Sequence, residues 1–305
     1  MIEVNNISKF FGDVTAVEDL SFKIDKGEIV GMLGPNGAGK TTTMRVLTGY
    51  LQPDKGDVIV NGISIKKNPI EALKLIGYLP ENNPLYKDML VSEFLVFSAE
   101  LKGLAGDNLI KALDYVSEAT KIKNVFYRPI KELSKGYKQR VGIAAALIHK
   151  PEILILDEPT EGLDPTQRIE IRDLIKDLSG NHTVLISTHV LQEAESMCTR
   201  IIVISNGHKV ADDAISNLKK ENKGKRIIWF ETEGSKVKET LKDLKGVEEV
   251  VFEEIGNRIR AKLLIANDTD IQPVLFDLAK KNDWKVWELA EKGHSLEEIF
   301  EQLTK

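Results

Sequence analysis

The chain has 305 residues, of which 42% are hydrophobic and 29% charged, so it can bury a large core and form two domains or one domain with an appendage. Its formal net charge of −5 argues against a nucleic-acid binder that relies on a general basic field. A single cysteine, Cys198, excludes an intrachain disulfide and a cysteine-based metal cluster, and we expect neither a secretory signal nor a membrane-spanning segment.

The first predicted elements are two strands, 2–10 and 20–25, in which apolar residues alternate. They flank a turn that begins with an aromatic residue, Phe11. This ring either stacks on the flat face of a ligand such as adenine or packs in the core, and its spacing fits both uses equally well.

The stretch Gly34–Thr41 fits the pattern G-x-x-x-x-G-K-[ST] and lies between an apolar run and a helix-like run, as a phosphate-binding loop requires. Its glycines allow positive φ and bring backbone N–H groups to phosphate oxygens, beside the positive dipole end of a helix. Lys40 supplies a charge toward the β- and γ-phosphates, and the Thr41 hydroxyl is suited to bind Mg²⁺. The alternative is a glycine-rich turn before an unrelated helix. The predicted nucleotide contacts here are Gly34, Pro35, Asn36, Gly37, Ala38, Gly39, Lys40, Thr41 and Thr42.

A hairpin at Asn61-Gly62 and a strand at 76–79 follow, and the strand leads into the polar, proline-rich loop 80–84. Two helices are predicted next, at 92–102 and 107–120, with Ser92 and Asp107 as N-caps. A mostly helical insertion therefore separates two α/β segments.

This insertion ends at 133–140, where Ser134 is placed to cap a helix of small and apolar residues. The strand that follows, 153–156, reads as buried on both faces and ends in Asp157 and Glu158. These acids are either solvated at a strand end, or Asp157 holds Mg²⁺ while Glu158 polarises a water molecule. The next buried strand, 183–187, ends at His189, on the sheet edge where ligands bind, although a lone histidine there is more often structural.

Together these motifs resemble those of the ATP-binding-cassette (ABC) transporter ATPase subunits, over residues 1 to about 215. The resemblance implies an α/β fold: a P-loop NTPase with a RecA-like core (1–217) and a mostly helical signature subdomain at about 84–146. It implies ATP and Mg²⁺ as ligands, with Phe11 stacking on adenine. It also implies that two protomers form a head-to-tail ATP sandwich joined near Leu163 and Asp164.

The same resemblance assigns roles to the remaining motif residues. Glu158 matches the carboxylate that activates water, and His189 matches the histidine that senses the γ-phosphate. Ser134 and Gly136 match the signature motif that closes on the nucleotide of the other protomer, and their hydroxyl, N–H group and helix N-terminus suit a second anion site. Lys40 is counted with Glu158 and His189 among the predicted catalytic residues, and Thr41, Asp157 and Glu81 are the predicted metal contacts.

Three residues depart from the usual family pattern. Lys135 and Tyr137 occupy the third and fifth places of a signature that usually reads Leu-Ser-Gly-Gly-Gln, and Glu81 stands where the loop usually presents Gln. Glu81 can still accept a hydrogen bond from a metal-bound water, but it adds negative charge. These variants resemble those of bacterial exporter subunits of the gliding-motility and multidrug type.

After a charged linker, 218–226, a second series of predicted strands and helices begins. Residues 227–305 give the order βαββαβ, a split-βαβ or ferredoxin-like α+β plan, and Ser295 with Glu298 forms a capping box for a final helix. This C-terminal part of the chain resembles the small domain appended to many exporter ATPase subunits. The sequence does not decide whether this domain serves dimerisation or regulation. Its three tryptophans are interpreted as core or interface residues.

The sequence thus predicts an ATPase subunit on the cytoplasmic face of the membrane that forms a homodimer or heterodimer and drives a separate permease of the exporter type. It does not indicate which substrate is transported. One rival is a cassette-family mechanical ATPase that acts on ribosomes or DNA; such proteins commonly carry two cassettes or a long coiled coil, and the acidic charge counts against it. A nucleotide-binding regulator with little turnover is the third alternative, and the presence of Glu158 and His189 disfavours it. No nucleic-acid partner is expected.

Overall fold

The computed structural model describes residues 1–218, 225–266 and 269–292, together with residues 297, 300 and 304. Contacts between Cα atoms group the chain into two units, one that spans Met1–Ile215 and one within Ser216–Gln302. None of the helices in the described part of the chain combines the length and the apolar character that a bilayer crossing requires.

The first unit alternates strands and helices along most of its length. Its strands are β1 (Ile2–Phe11), β2 (Val14–Ile24), β3 (Ile29–Leu33), β4 (Lys55–Val60), β5 (Ile63–Ser64), β6 (Ile76–Leu79), β7 (Ile153–Asp157), β8 (Thr183–Thr188), β9 (Arg200–Ser205) and β10 (His208–Ala214). Its helices are α1 (Lys40–Leu47), α2 (Pro69–Leu73), α3 (Val91–Leu101), α4 (Gly106–Ala119), α5 (Lys135–Leu147), α6 (Pro165–Ser179) and α7 (Leu191–Met197), with 3₁₀ turns at Lys123–Val125 and Ile130–Glu132.

Two sheets form the framework of this unit. The larger has six strands in the order β10-β9-β3-β8-β7-β6, all parallel except the edge strand β10. The smaller is a four-stranded antiparallel sheet in the order β2-β1-β4-β5. Within β7, Ile153 and Ile155 pack in the core shared with the antiparallel sheet, while Leu154 and Leu156 pack in the core that contains α3 to α6. The prediction that this strand is buried on both faces is confirmed.

The carboxyl ends of the parallel strands meet at one edge of the larger sheet. Leu33, which precedes the phosphate loop, lies opposite Thr188, and Asp157 lies opposite Ser187. Strand β6 ends beside β7, so the loop that follows β6 reaches the same edge. Segments that are far apart in the sequence are therefore brought together by strand register alone.

Helix starts agree with the sequence prediction at one of three positions. Ser134 is the N-cap of α5, and its hydroxyl accepts a hydrogen bond from the Tyr137 N–H at 3.3 Å. The predicted cap at Ser92 is wrong because α3 begins one residue earlier, where the Glu93 carboxylate accepts a 2.8 Å hydrogen bond from the Leu90 N–H. The predicted cap at Asp107 is also wrong, since this residue lies inside the first turn of α4.

The second unit is a βαββαβ arrangement, in agreement with the predicted order. After the short helix α8 (Ile215–Leu218), its elements are β11 (Lys225–Glu233), α9 (Val237–Lys242), β12 (Val247–Ile255), β13 (Arg258–Ala266), α10 (Gln272–Lys281) and β14 (Lys285–Lys292). The antiparallel sheet order is β12-β13-β11-β14. Phe230 and Trp284 lie in its core, whereas Trp287 is 53% exposed and its ring centroid lies 3.4 Å from the Arg258 guanidinium carbon. The predicted capping box of Ser295 and Glu298 lies outside the described residues, as do positions 219–224 of the predicted linker.

Candidate active site

The phosphate loop joins β3 to α1 through residues that have to be glycine. Gly37 has φ 81°, and Gly39, the N-cap of α1, has φ 104°. A Cβ atom at Gly34 would lie 2.4 Å from the Ile204 carbonyl oxygen, and one at Gly39 would lie 2.5 Å from the Ala16 carbonyl oxygen. Backbone conformation and close packing thus both favour glycine in this loop.

Lys40 is a buried cation at the start of α1. Its Nζ donates hydrogen bonds to the carbonyl oxygens of Gly34 (2.8 Å) and Pro35 (3.2 Å), so the ammonium group bends back over the loop. The same atom lies 3.6 Å from Oε1 of Glu158. A buried charge is stable when it is paired and hydrogen-bonded, and both conditions hold here.

Asp157 ends β7 with a fully buried carboxylate. Its Oδ1 accepts a 2.5 Å hydrogen bond from Ser187 Oγ and lies 3.5 Å from the Thr41 hydroxyl. Its Oδ2 is buried and has no hydrogen-bond partner among the described residues. Burial raises the pKa of Asp157, and the hydrogen bond from Ser187 only partly opposes this.

Glu158 follows in a left-handed backbone conformation with φ 48°. Its N–H donates to Ser187 Oγ at 2.9 Å, and its Oε2 lies 3.0 Å from Nδ1 of His189. A non-glycine residue in this conformation costs about 1–2 kcal/mol, so other contacts must hold the turn in place. The sheet therefore presents a carboxylate between Lys40 and an imidazole.

A cavity of about 370 Å³ opens at this sheet edge. Of the predicted loop residues, those that line it are Asn36, Gly37, Gly39, Lys40, Thr41 and Thr42, whereas Gly34, Pro35 and Ala38 do not. Glu81 and Glu158 also line the cavity. Partial burial raises the pKa of Glu81, with the charge of Asp157 as the next cause. Glu161, which the sequence reasoning missed, also lines the cavity.

Phe11 lies at the end of β1 with its side chain 48% exposed, so it is not part of the core. The Asp54 carboxylate fixes the strand before it, because it accepts hydrogen bonds from the Phe10 N–H at 2.7 Å and from Lys9 Nζ at 3.1 Å. Those two hydrogen bonds lower the pKa of Asp54, with the backbone donor contributing most. Phe11 does not line the 370 Å³ cavity, but the neighbouring residues Val14–Ala16 do.

The signature residues are not in the phosphate-loop cavity of their own chain. Neither Ser134 nor Gly136 lines it. A Cβ atom at Gly136 would lie 3.1 Å from the Gln167 side chain, so a larger residue would push against α6. The two residues that differ from the usual signature also contact neighbouring residues. The Tyr137 hydroxyl accepts a 2.7 Å hydrogen bond from Asn124, and the Lys135 ammonium lies against Gly162.

The loop after β6 touches three features of the first unit. Glu81 lines the phosphate-loop cavity, whereas Pro80, Asn83 and Pro84 line a separate groove of about 350 Å³. Asn83 Nδ2 also donates a 2.8 Å hydrogen bond to the Lys138 carbonyl oxygen in α5. We call residues 80–84 the junction loop.

The arrangement around Asp157 fits a divalent cation. An unpartnered buried carboxylate oxygen beside a hydroxyl leaves two hard oxygen ligands, Asp157 and Thr41, facing the same region. No group of three or more His, Cys, Asp or Glu side chains in the described ranges is arranged to hold a metal. A cation here therefore depends on oxygen atoms from a bound phosphate or from water, which is how Mg²⁺ is commonly held.

Comparisons with known proteins agree with this geometry. A sequence profile of the family described as "ABC transporter" matches residues 17–161. The linearmycin resistance ATP-binding protein LnrL of Bacillus subtilis is 33% identical to the chain, over 100% of this chain and 98% of that protein. The Nod factor export ATP-binding protein I of Burkholderia lata is 37% identical over 70% of each chain.

A solved structure extends the comparison to the fold. The dimeric post-hydrolysis state of the ATP-binding cassette MJ0796, bound to ADP and Pi, has a TM-score of 0.63 and 25% identity, over 70% of this chain and 99% of that one. The family resemblance and the P-loop NTPase fold predicted from the ordered motifs are confirmed. The chain belongs to the ABC transporter family, as one of its ATP-binding ATPase subunits.

Proposed function

We propose that this chain hydrolyses Mg²⁺-ATP within a head-to-tail dimer and thereby drives a separate membrane permease that exports its substrate. The observation that carries the catalytic part is the position of Glu158, whose carboxylate lies 3.6 Å from Lys40 and 3.0 Å from His189 at the phosphate-loop cavity. A carboxylate so placed can take a proton from a water molecule that attacks a phosphate held by the loop.

Each side chain then has a distinct task. Lys40 and the loop N–H groups hold the β- and γ-phosphates, Glu158 takes the proton, and His189 orients that carboxylate through the Nδ1 contact. Thr41 and Asp157 would hold Mg²⁺, with Glu81 placed to accept a hydrogen bond from a metal-bound water. The cation would neutralise charge on the phosphates when bound.

A dimer is proposed because the signature residues stand apart from the phosphate loop of their own chain. Ser134 and the N-terminus of α5 would bind the γ-phosphate held by the other protomer, with Gly136 and the segment of Leu163 and Asp164 at the joint. Loss of the γ-phosphate removes this bridge and loosens the dimer. The related cassette MJ0796 has been solved as a dimer.

The permease is proposed to dock at the groove beside the junction loop, with the chain on the cytoplasmic face of the membrane. Exposed apolar side chains flank this groove, including Tyr50 (74% exposed) and Leu101 (71% exposed). Tyr86 packs edge-on against Phe97 nearby, with ring centroids 5.7 Å apart. Export, as opposed to import, is proposed, and the likeness to the Nod factor export protein and the subgroup resemblance support it.

The domain limits of 1–217, 218–226 and 227–305 are likewise proposed. They are supported by the separation into two units near residue 215 and by the independent apolar core around Phe230 and Trp284. Full-length similarity to LnrL extends through this second unit.

Affinity purification from membranes tests the transporter proposal. We expect the Glu158→Gln protein in Mg²⁺-ATP to retain one multi-span membrane protein, which raises the ATPase rate of wild-type chain when both are reconstituted in vesicles. Lys40→Ala, which weakens phosphate binding, is the matched control and should retain less of it. Recovery of ribosomes or DNA without a membrane protein would favour the soluble mechanical ATPase.

Titration with a non-hydrolysable ATP analogue tests the proposed role of Phe11. We expect Phe11→Ala to raise the Kd by roughly 3- to 10-fold, the loss typical of one aromatic stacking contact, and Phe11→Tyr to restore most of the affinity. Tyr127→Ala, at a ring that is 77% exposed elsewhere in this unit, is the control. An unchanged Kd for Phe11→Ala would remove this ring from the site.

A further inference from the structure

Glu193 is a buried carboxylate that none of the predicted motifs includes. It lies in α7, four residues after His189, and its side chain is enclosed, with 5% relative exposure of the residue. One of its oxygens, Oε2, accepts two hydrogen bonds, from Thr160 Oγ1 at 2.5 Å and from Thr188 Oγ1 at 3.2 Å. Glu193 thus joins the segment after Glu158 to the residue just before His189.

The cluster of Glu193, Thr160 and Thr188 is held by buried hydrogen bonds. Thr160 and Thr188 are 2% and 1% exposed, so neither hydroxyl has bulk water as an alternative partner. Thr188 Oγ1 accepts a 3.0 Å hydrogen bond from the Val190 N–H, which leaves its proton for Glu193. Both hydroxyls therefore donate to the same carboxyl oxygen from inside the protein, where hydrogen bonds to a carboxylate are stronger than those between neutral groups.

The position of the cluster matters because the backbone at Glu158 is unfavourable by itself. Ser187 Oγ holds the start of this turn by accepting from the Glu158 N–H, and Glu193 holds its far end through Thr160. The same Glu193 oxygen holds Thr188, whose neighbour carries the imidazole. One carboxylate therefore restrains both partners of the 3.0 Å contact between Glu158 and His189.

We propose that Glu193 is the positioning residue for the Glu158–His189 pair. Glu193 does not line the phosphate-loop cavity, and it acts by fixing the turn and the histidine segment relative to each other. The inference rests on the roles proposed above for Glu158 and His189. Because its hydrogen bonds come from Thr160 and Thr188 and not from the phosphate loop, its removal should slow hydrolysis without weakening ATP binding.

Steady-state kinetics of the full chain test this. We expect Glu193→Ala to lower kcat by roughly 10- to 100-fold with the Kd for ATP within about twofold of wild type, as for a lost positioning contact. Glu193→Gln keeps an acceptor oxygen, so its kcat should lie closer to the wild-type value than to that of Glu193→Ala on a logarithmic scale. Asp173→Ala, which removes an exposed carboxylate from α6, should leave both constants unchanged. If Glu193→Ala does not fold, Thr160→Val and Thr188→Val keep the side-chain shape, and each should lower kcat by roughly 3- to 10-fold.

A double variant separates positioning from general support of the fold. If Glu193 acts through Glu158, adding Glu193→Ala to Glu158→Gln should lower the residual kcat by less than about twofold. A further tenfold loss in the double variant, or an unchanged kcat in Glu193→Ala and both valine variants, would overturn the proposal. Full activity of Glu158→Gln alone would instead overturn the catalytic role proposed for Glu158, so the two failures are distinguishable.

Discussion

Replacement of Glu158 by Gln is expected to lower the ATP turnover of this chain by two or more orders of magnitude, the usual loss when a general base is removed. Gln is nearly the same size and keeps an oxygen that can face His189, so the turn should keep its shape. It cannot accept a proton from water at neutral pH. Phosphate release at saturating Mg²⁺-ATP measures the effect.

The same variant should keep its nucleotide and its dimer, because Lys40 and the loop glycines are untouched. We expect it to elute as a dimer in Mg²⁺-ATP and as a monomer after ATP is removed. Glu152→Gln, at the opposite end of β7, makes the same chemical change away from the cavity and should behave as wild type. Turnover within twofold of wild type in Glu158→Gln would show that another group activates the water.

Replacement of Asp157 by Asn is expected to affect activity and stability in opposite directions. Mg²⁺-dependent hydrolysis should fall by roughly 100-fold or more, because a neutral amide is a much poorer ligand for a hard cation and the charge neutralisation at the phosphates is lost. The Tm without nucleotide should rise by about 2–4 °C, the shift that about 1 kcal/mol causes in a unit of this size. The gain arises because the wild-type fold buries a charged oxygen that lacks a partner among the described residues.

The pH dependence of this stability difference follows from the raised pKa of Asp157. The stabilisation that protonation gives the folded chain is fully present below the pKa of the unfolded chain, and it is lost as the pH rises through the folded pKa. The Tm advantage of Asp157→Asn should therefore be largest near pH 7 and shrink toward pH 4. Asp173→Asn, at an exposed carboxylate, should show neither effect. A lower Tm for Asp157→Asn at pH 7 would contradict the cost assigned to the buried charge.

Much of the framework of this site is readable from local sequence. An apolar run followed by Asp157 and Glu158 is a sufficient signal for a buried strand that ends in acids, and parallel strands necessarily bring such ends to one edge. Ser134 caps α5 as predicted because that interaction spans only a few residues. The same reasoning is wrong at Ser92 and Asp107, where α3 and α4 begin earlier than the capping pattern indicates.

The contacts that hold the site together depend on long-range register and are not visible in the sequence. Ser187 bonds to both Asp157 and Glu158 because β7 and β8 pair in one particular register. Glu193 lies in a short helix where a glutamate usually faces solvent, and only the folded chain places it beside Thr160. Glu161 reaches the cavity wall through a turn whose path the sequence does not specify.

The junction loop is restrained at its ends and by α5. Proline at both ends, Pro80 and Pro84, limits backbone rotation, and Asn83 is fastened to α5 through the Lys138 carbonyl oxygen. A Cβ at Gly142 would lie 2.3 Å from the Asn83 amide, so the loop and α5 are in direct contact. A protein that binds at the groove and displaces this loop would therefore shift Glu81 at the cavity wall and the signature residues at the start of α5 together.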